Sequence, residues 1–248
     1  MSVQSTRRRG FIKLCAAAAA AIAARPQALS ANASAPLRTY QRSRLVDVKG
    51  APIRAADLRV GESYVFHYPY ATTPCFLIDL ARAPERAVRL ETESGESYEW
   101  QGGVGPRRSI VAFSAICAHK MSHPARAVSF INYRPDEAAF LDANKQRRRR
   151  TGVIFCCSEK SVYDPHAGAK VLGGPAPQPL ASIVLDFDPQ DGSLSAVGTR
   201  GGEMFDKYFG KFEFRLQLEH KVADVRDPVG ESTALYPVSE YCSTLIRC

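Results

Sequence analysis

The stretch TGVIFCCSEKSVYDPHAGAKVLGGPAPQPL, Thr151 to Leu180, decides how the chain folds. A short apolar run, Val153 to Phe155, delivers Cys156 into a polar segment; Ser161-Val162-Tyr163-Asp164-Pro165 follows, then Gly174-Pro175-Ala176-Pro177. Brief β-branched and aromatic runs broken by Gly, Pro and Ser read as short strands and loops. A thiol at the end of such a strand, followed by a Gly-Pro loop, has the form of a metal-binding loop with one ligand missing.

The chain around this stretch is also patterned for β structure. ESYVFHYP (62–69), CFLIDL (75–80), SIVAFSAIC (109–117), RAVSFINY (126–133) and SIVLDFD (182–188) are short runs of the same kind. In KFEFRLQLEH, Phe212, Phe214, Leu216 and Leu218 alternate with charged or amide residues, the period of a half-buried strand. One helix is predicted over Arg134–Arg150: Pro135 starts it, Asp136 and Glu137 stand in its first turn, and Arg147 to Arg150 close it, as the helix macrodipole favours. The expectation is an all-β antiparallel sandwich with one short inserted helix. Residues 34–57 and 226–248 lack strong periodicity and read as an N-terminal arm and a C-terminal tail on the surface. The domain lies between them, at 58–225.

The N-terminus carries Arg7, Arg8, Arg9 and Lys13 before an apolar run from Leu14 to Ala24, then Ala31-Asn32-Ala33. That is the form of a twin-arginine export signal over residues 1–33, and its apolar part is too short to span a bilayer of roughly 30 Å unaided. It implies a periplasmic protein, anchored at the membrane if the signal is retained. The formal net charge is +8, and five cations with no acid precede Ala33, so the remainder carries only +3. Nucleic acid is therefore not an expected partner. Of seven cysteines, Cys15 lies in the signal. Cys242 and Cys248 can pair with each other, or one of them with Cys75, as an oxidising compartment allows.

The donors for a metal stand at the ends of two apolar runs. ICAHKMSH supplies Cys117 and His119, and FCCSEKSVYD supplies Cys156. Two thiolates from two loops can hold one iron while a histidine begins the ligand set of a second; zinc accepts the same donors but usually shows a repeated C-x-x-C or H-x-x-H unit. No nucleophile–base pair, phosphate loop or carboxylate dyad suggests chemistry on a bound substrate.

From about Leu58 to Leu218 the sequence resembles a Rieske [2Fe–2S] domain. The motifs that carry the likeness are SIVAFSAICAHK, IFC followed by SVYDP, GGPAPQPL, and LDFDPQDGSLSAVG. The resemblance implies a [2Fe–2S] cluster with Cys117 and Cys156 on one iron and His119 on the other. It further implies that Ser161 and Tyr163 hydrogen-bond to cluster or ligand sulfur, and that Gly174, Pro175, Ala176 and Pro177 cover the site. The family pattern places a histidine at position 159, where this chain has Glu159. The positions matching the inter-loop disulfide of cytochrome bc Rieske proteins are Ser122 and Ser158, as in the disulfide-free branch that includes small subunits of arsenite-oxidase-like enzymes. Glu159, His123, Cys157 and His166 are all candidates to complete the second iron. His123 and His166, each beside a proline, read first as polar loop residues, and Cys157 as a small buried side chain.

Two functional classes follow. One is an electron-transfer protein or subunit, not a catalyst on its own, that exchanges electrons with a c-type cytochrome or a larger redox subunit. The other is a binding or assembly module that keeps the fold without a cluster. The Arg147–Arg150 run reads either as a solvated helix end or as a docking patch for an acidic redox partner.

Overall fold

The computed structural model describes residues 37–248, so the export-signal reading lies outside the described residues. Strand β1 (Arg38–Val46) is followed by β2 (Ser63–His67), β3 (Pro74–Asp79), a hairpin of β4 (Val88–Glu91) and β5 (Ser97–Trp100), and β6 (Ile110–Ser114). The middle of the chain forms β7 (Ile131–Arg134), a second hairpin of β8 (Ala138–Leu141) and β9 (Arg147–Arg150), then β10 (Val153–Cys156), β11 (Ser161–Asp164) and β12 (Lys170–Gly173). After β13 (Ser182–Phe187) and β14 (Leu194–Arg200) come helix α1 (Phe205–His220), the short strands β15 (Ser232–Ala234) and β16 (Tyr236–Pro237), and the single turn α2 (Val238–Tyr241).

The architecture is mostly β, as expected. An eight-stranded sheet has the order β15-β1-β14-β13-β6-β3-β2-β16, and a four-stranded sheet has the order β12-β11-β10-β7. Side-chain alternation decides how they pack. On β3, Phe76 and Ile78 face the four-stranded sheet while Cys75 and Leu77 face the other way; on β6, Val111 and Phe113 divide from Ile110 and Ala112 likewise. The inner set meets Ile131, Ile154 and Tyr163 of the four-stranded sheet. The outer set meets Leu45, Ile183, Leu185 and Leu194, so the large sheet coils onto itself.

Its two edges are joined by the segment expected to be a surface tail. β15 pairs parallel with β1, and two residues later β16 pairs antiparallel with β2. Thr233 adds a further tie, donating its hydroxyl to His67 O at 3.0 Å and accepting from His67 N at 3.3 Å. The segments read as arms, 34–57 and 226–248, thus contribute β1, β15 and β16 to the sheet. They lack legible periodicity because β1 carries a register shift and β15 and β16 have only three and two residues.

Two element assignments are corrected. Arg134–Arg150 forms the β8–β9 hairpin and not a helix. Asp142 Oδ1 accepts from the backbone N–H groups of Asn144 and Gln146, and Lys145 takes a left-handed φ of 58°, so Asp-Ala-Asn-Lys makes a turn. Ala138 and Phe140 then bury against Val153, Phe155 and Val162 on the outer face of the four-stranded sheet.

Phe212 to Glu219 belongs to α1 and not to a strand. Phe205, Tyr208, Phe209, Phe212 and Leu216 form a helical stripe that packs with Ile116 and Val225. The apparent alternation is two i,i+4 pairs on opposite helix faces: Phe212 and Leu216 turn inward, while Phe214 and Leu218 are 75% and 65% exposed. Leu216→Ala should therefore cost about 2–5 kcal/mol in urea denaturation, while Phe214→Ala should stay within about 0.5 kcal/mol. Equal costs would place the two residues on one strand face.

Where β2, α1 and α2 meet, His67 is half-buried, with its Nε2 3.1 Å from Tyr241 Oη and its ring 5.0 Å from that of His220. Burial pushes the His67 imidazole down to about 3, with His220 and Arg126 adding to the shift. The unfolded chain binds a proton below about 6.5 that the folded chain refuses until about 3. Stability held above 6.5 is accordingly lost as pH falls toward 3. In denaturation measured across that window, His67→Gln should flatten the decline by up to one proton's worth of slope. His123, His166 and His220, which burial also lowers, and the carboxyls of Asp142, Glu159 and Asp191, which hydrogen bonds hold low, contribute in the same direction.

Candidate metal centre

Cys117 follows β6 and Cys156 ends β10, and both thiols are buried in the core between the two sheets. The first loop is tight: Cys117 N donates to Ser122 O at 2.9 Å, Met121 N donates to Cys117 O at 2.9 Å, and Met121 adopts a φ of 61°. Tyr163, opposite Ile154 in the β10–β11 ladder, reaches across to this loop. Its Oη accepts from Ala118 N at 3.2 Å and lies 3.3 Å from Cys117 Sγ, so its own proton is free for the sulfur.

The thiols act on each other. The Cys156 thiol, then Tyr163 and the N–H groups of His119 and Lys120, hold Cys117 down to about 6, against the cost of burial. The Cys117 thiolate correspondingly pushes Cys156 well up, and burial adds to that. The pair thus favours one thiolate and one thiol, the state expected where two sulfurs converge on a position suited to a cation.

The structure also brings Ser161 and His119 to this region with free bonding capacity. Ser161 Oγ and His119 Nδ1 are buried atoms without a hydrogen-bond partner. Gly174, with φ +82°, lies against the second loop so closely that a Cβ would sit 2.6 Å from Ser161 Cα, so only glycine fits there. Pro175 is exposed beside it, and Ala176 packs onto the main core.

Glu159 is placed differently from the expectation of a ready ligand. Its carboxylate accepts from Lys120 Nζ at 2.8 Å, an ion pair that joins the two loops. Lys120, with a smaller contribution from the neighbouring His119, holds its carboxyl below the usual carboxylate range.

The other three candidates for the fourth position are engaged elsewhere. His123 donates from Nδ1 to Met121 O at 2.9 Å, and its ring lies edge-on to Tyr208 and Phe212 of α1. His166 follows β11 at the end away from Ser161, its N–H donating to Asp164. Cys157 forms a disulfide with Cys248, Cα atoms 5.7 Å apart. That bond corrects the expected pairings: Cys75 and Cys242 are both free and buried. Cys157 follows the end of β10 and donates its N–H to Phe130 O, which sets it beside the segment 126–130 along which residues 243–246 run.

Among the described residues, no three His, Cys, Asp or Glu side chains form a group able to hold a metal ion. Cys117, Cys156 and His119 are nonetheless donor types that a mixed Cys/His iron–sulfur centre uses, the two thiols lie against each other, and the buried Ser161 hydroxyl can donate to a sulfur. Lys120 and Cys248 had no motif to mark them. The cation after His119 is paired with Glu159 only through the meeting of the two loops.

No protein-family model matches the chain. It is similar to the crystal structure of the soluble domain of the Rieske protein II (soxF) from Sulfolobus acidocaldarius, with 26% sequence identity over 66% of this chain and 82% of that one, at a TM-score of 0.42. Of the described residues, no helix is long and apolar enough to cross a membrane.

The four free buried cysteines give a direct test of the site. Cys117→Ser and Cys156→Ser should each abolish bound iron, measured per chain after anaerobic purification. Cys75→Ser and Cys242→Ser, equally buried but outside the loops, should leave iron unchanged. Iron retained in both loop variants would overturn the assignment.

Proposed function

We propose that this chain is a Rieske-type iron–sulfur electron-transfer protein, exported to the periplasm by its twin-arginine signal. It would pass single electrons between a c-type cytochrome and a larger oxidoreductase subunit. The observation that carries this reading is the pair of buried thiols, Cys117 and Cys156, brought from two loops against each other and against Tyr163 Oη.

In this reading Cys117, Cys156 and His119 hold a [2Fe–2S] cluster, with Glu159 at the fourth position, and the cluster supplies one-electron redox chemistry. The chain's own residues do the rest. Tyr163 directs its hydroxyl proton at the Cys117 sulfur, Ser161 offers a second donor, and Gly174 lets the covering loop press against the cluster loop. Without a cluster the ion pair of Lys120 and Glu159 joins the loops where Ser122 and Ser158 supply no disulfide, and ligation by Glu159 would draw its carboxylate off Lys120.

A second reading, a Rieske-fold binding module without a cluster, is favoured by one observation: Lys120 already occupies the Glu159 carboxylate. Iron, acid-labile sulfide and visible absorption of protein made with its signal intact separate the two. The electron-transfer reading expects about two irons and two sulfides per chain and a coloured protein; a colourless, iron-free protein would sink it. Ligand charge then decides the potential. Two neutral imidazoles place Rieske centres at roughly −150 to +300 mV, against about −400 mV for all-thiolate plant-type centres. A carboxylate at the fourth position should hold the wild type below that Rieske range, and Glu159→His should raise the potential in a redox titration. An unchanged potential would show that Glu159 stays on Lys120.

A further inference from the structure

The β8–β9 hairpin leaves a groove of about 430 Å³ beside the second loop. Its exposed apolar surface comes from Ala139 and Leu141, which share one face of β8, with Leu141 57% exposed, while the buried Phe140 and Phe155 form its floor. Arg147 and Lys160 stand on its rim. The other three arginines of β9 are spent within the chain, Arg148 on Asp142, Arg149 on Glu137 and Arg150 on Asp164. Arg147 and Lys160 have no ion pair among the described residues.

The two rim cations set positive charge that no acid among the described residues pairs beside the second loop. The groove is also continuous with the candidate centre. Phe155 precedes Cys156, Lys160 precedes Ser161, and Gly174 belongs to the covering loop.

We infer that this groove is the docking surface for an acidic redox protein, one that seats an apolar residue on Leu141 and Ala139 and sets carboxylates against Arg147 and Lys160. An apolar centre with a charged rim is the usual composition of such an interface, and complementary charge speeds encounter between carriers. The inference rests on the electron-transfer reading, because that reading gives the chain a partner whose electrons must reach Cys156.

The test measures binding rather than electron transfer, on protein whose iron content is determined separately, so that loss of the cluster and loss of docking are distinguishable. Two soluble c-type cytochromes serve as probes, one with carboxylates around its haem edge and one with lysines. The acidic cytochrome should bind at low ionic strength and weaken steeply with salt, and the basic one should not bind. Arg147→Glu should weaken binding about tenfold and Leu141→Ser several-fold. Lys49→Glu makes the same charge change at an exposed position away from the groove and should have less than about a twofold effect. Equal losses from Arg147→Glu and Lys49→Glu, indifference to Leu141→Ser, or no preference for the acidic probe would each overturn the inference. A dimer in sedimentation that Arg147→Glu dissociates would assign the groove to a second copy of the chain instead.

Discussion

Closure of the large sheet is the constraint on which the rest depends. An open eight-stranded sheet would present two rows of unpaired backbone groups, and its outer face would have nothing to pack against. The six residues Ser232 to Pro237 remove both problems by pairing with β1 at one edge and β2 at the other. With the sheet coiled, Leu45, Ile183 and Leu194 bury against Phe66 and Leu77, and the opposite face of the same strands is free to receive the four-stranded sheet. Cys117, Cys156 and Tyr163 lie in that second interface, so the position of each thiol is set by a strand buried on both sides.

A rigid seat of this kind matters because two sulfurs cannot converge in a dry interior without consequence. Burial raises the cost of a thiolate, whereas the partner thiol, the Tyr163 hydroxyl and two backbone N–H groups lower it. At Cys117 the hydrogen bonds win, and the proton stays with Cys156. The loops themselves are held by weaker means. Lys120 and Glu159 are partly exposed, and such pairs contribute only about 0–1 kcal/mol. The stiffness of the site therefore comes from the strands beneath it and from the close approach of Gly174.

The strands of the sandwich and the two donor loops were legible because each rests on local signals: brief apolar runs, a thiol at a strand end, Gly and Pro where the chain turns. Elements that depend on distant partners were not. Nothing in Ser232–Pro237 marks it as a bridge between two edges, since it takes its hydrogen bonds from strands more than 150 residues away. Arg147 to Arg150 matched a helix end by charge, yet Asp142 and the left-handed Lys145 had already turned the chain. In Phe212–Leu218 a period of two and two interleaved periods of four are the same pattern, and only the upstream Phe205, Tyr208 and Phe209 separate them. At the site, residue types were readable where loop spacing resembles a known family. The ion pair that occupies Glu159 was not, because it joins residues 39 apart.

The Cys157–Cys248 disulfide gives the second loop a schedule. The thiol next to Cys156 has its partner 91 residues further along the chain, beyond β13, β14, α1 and the closing strands. During synthesis the loop can form, and the thiol of Cys156 can be used, long before the residue that will clamp its neighbour exists. Covalent locking of this loop thus waits for a residue made after every strand of the sheet.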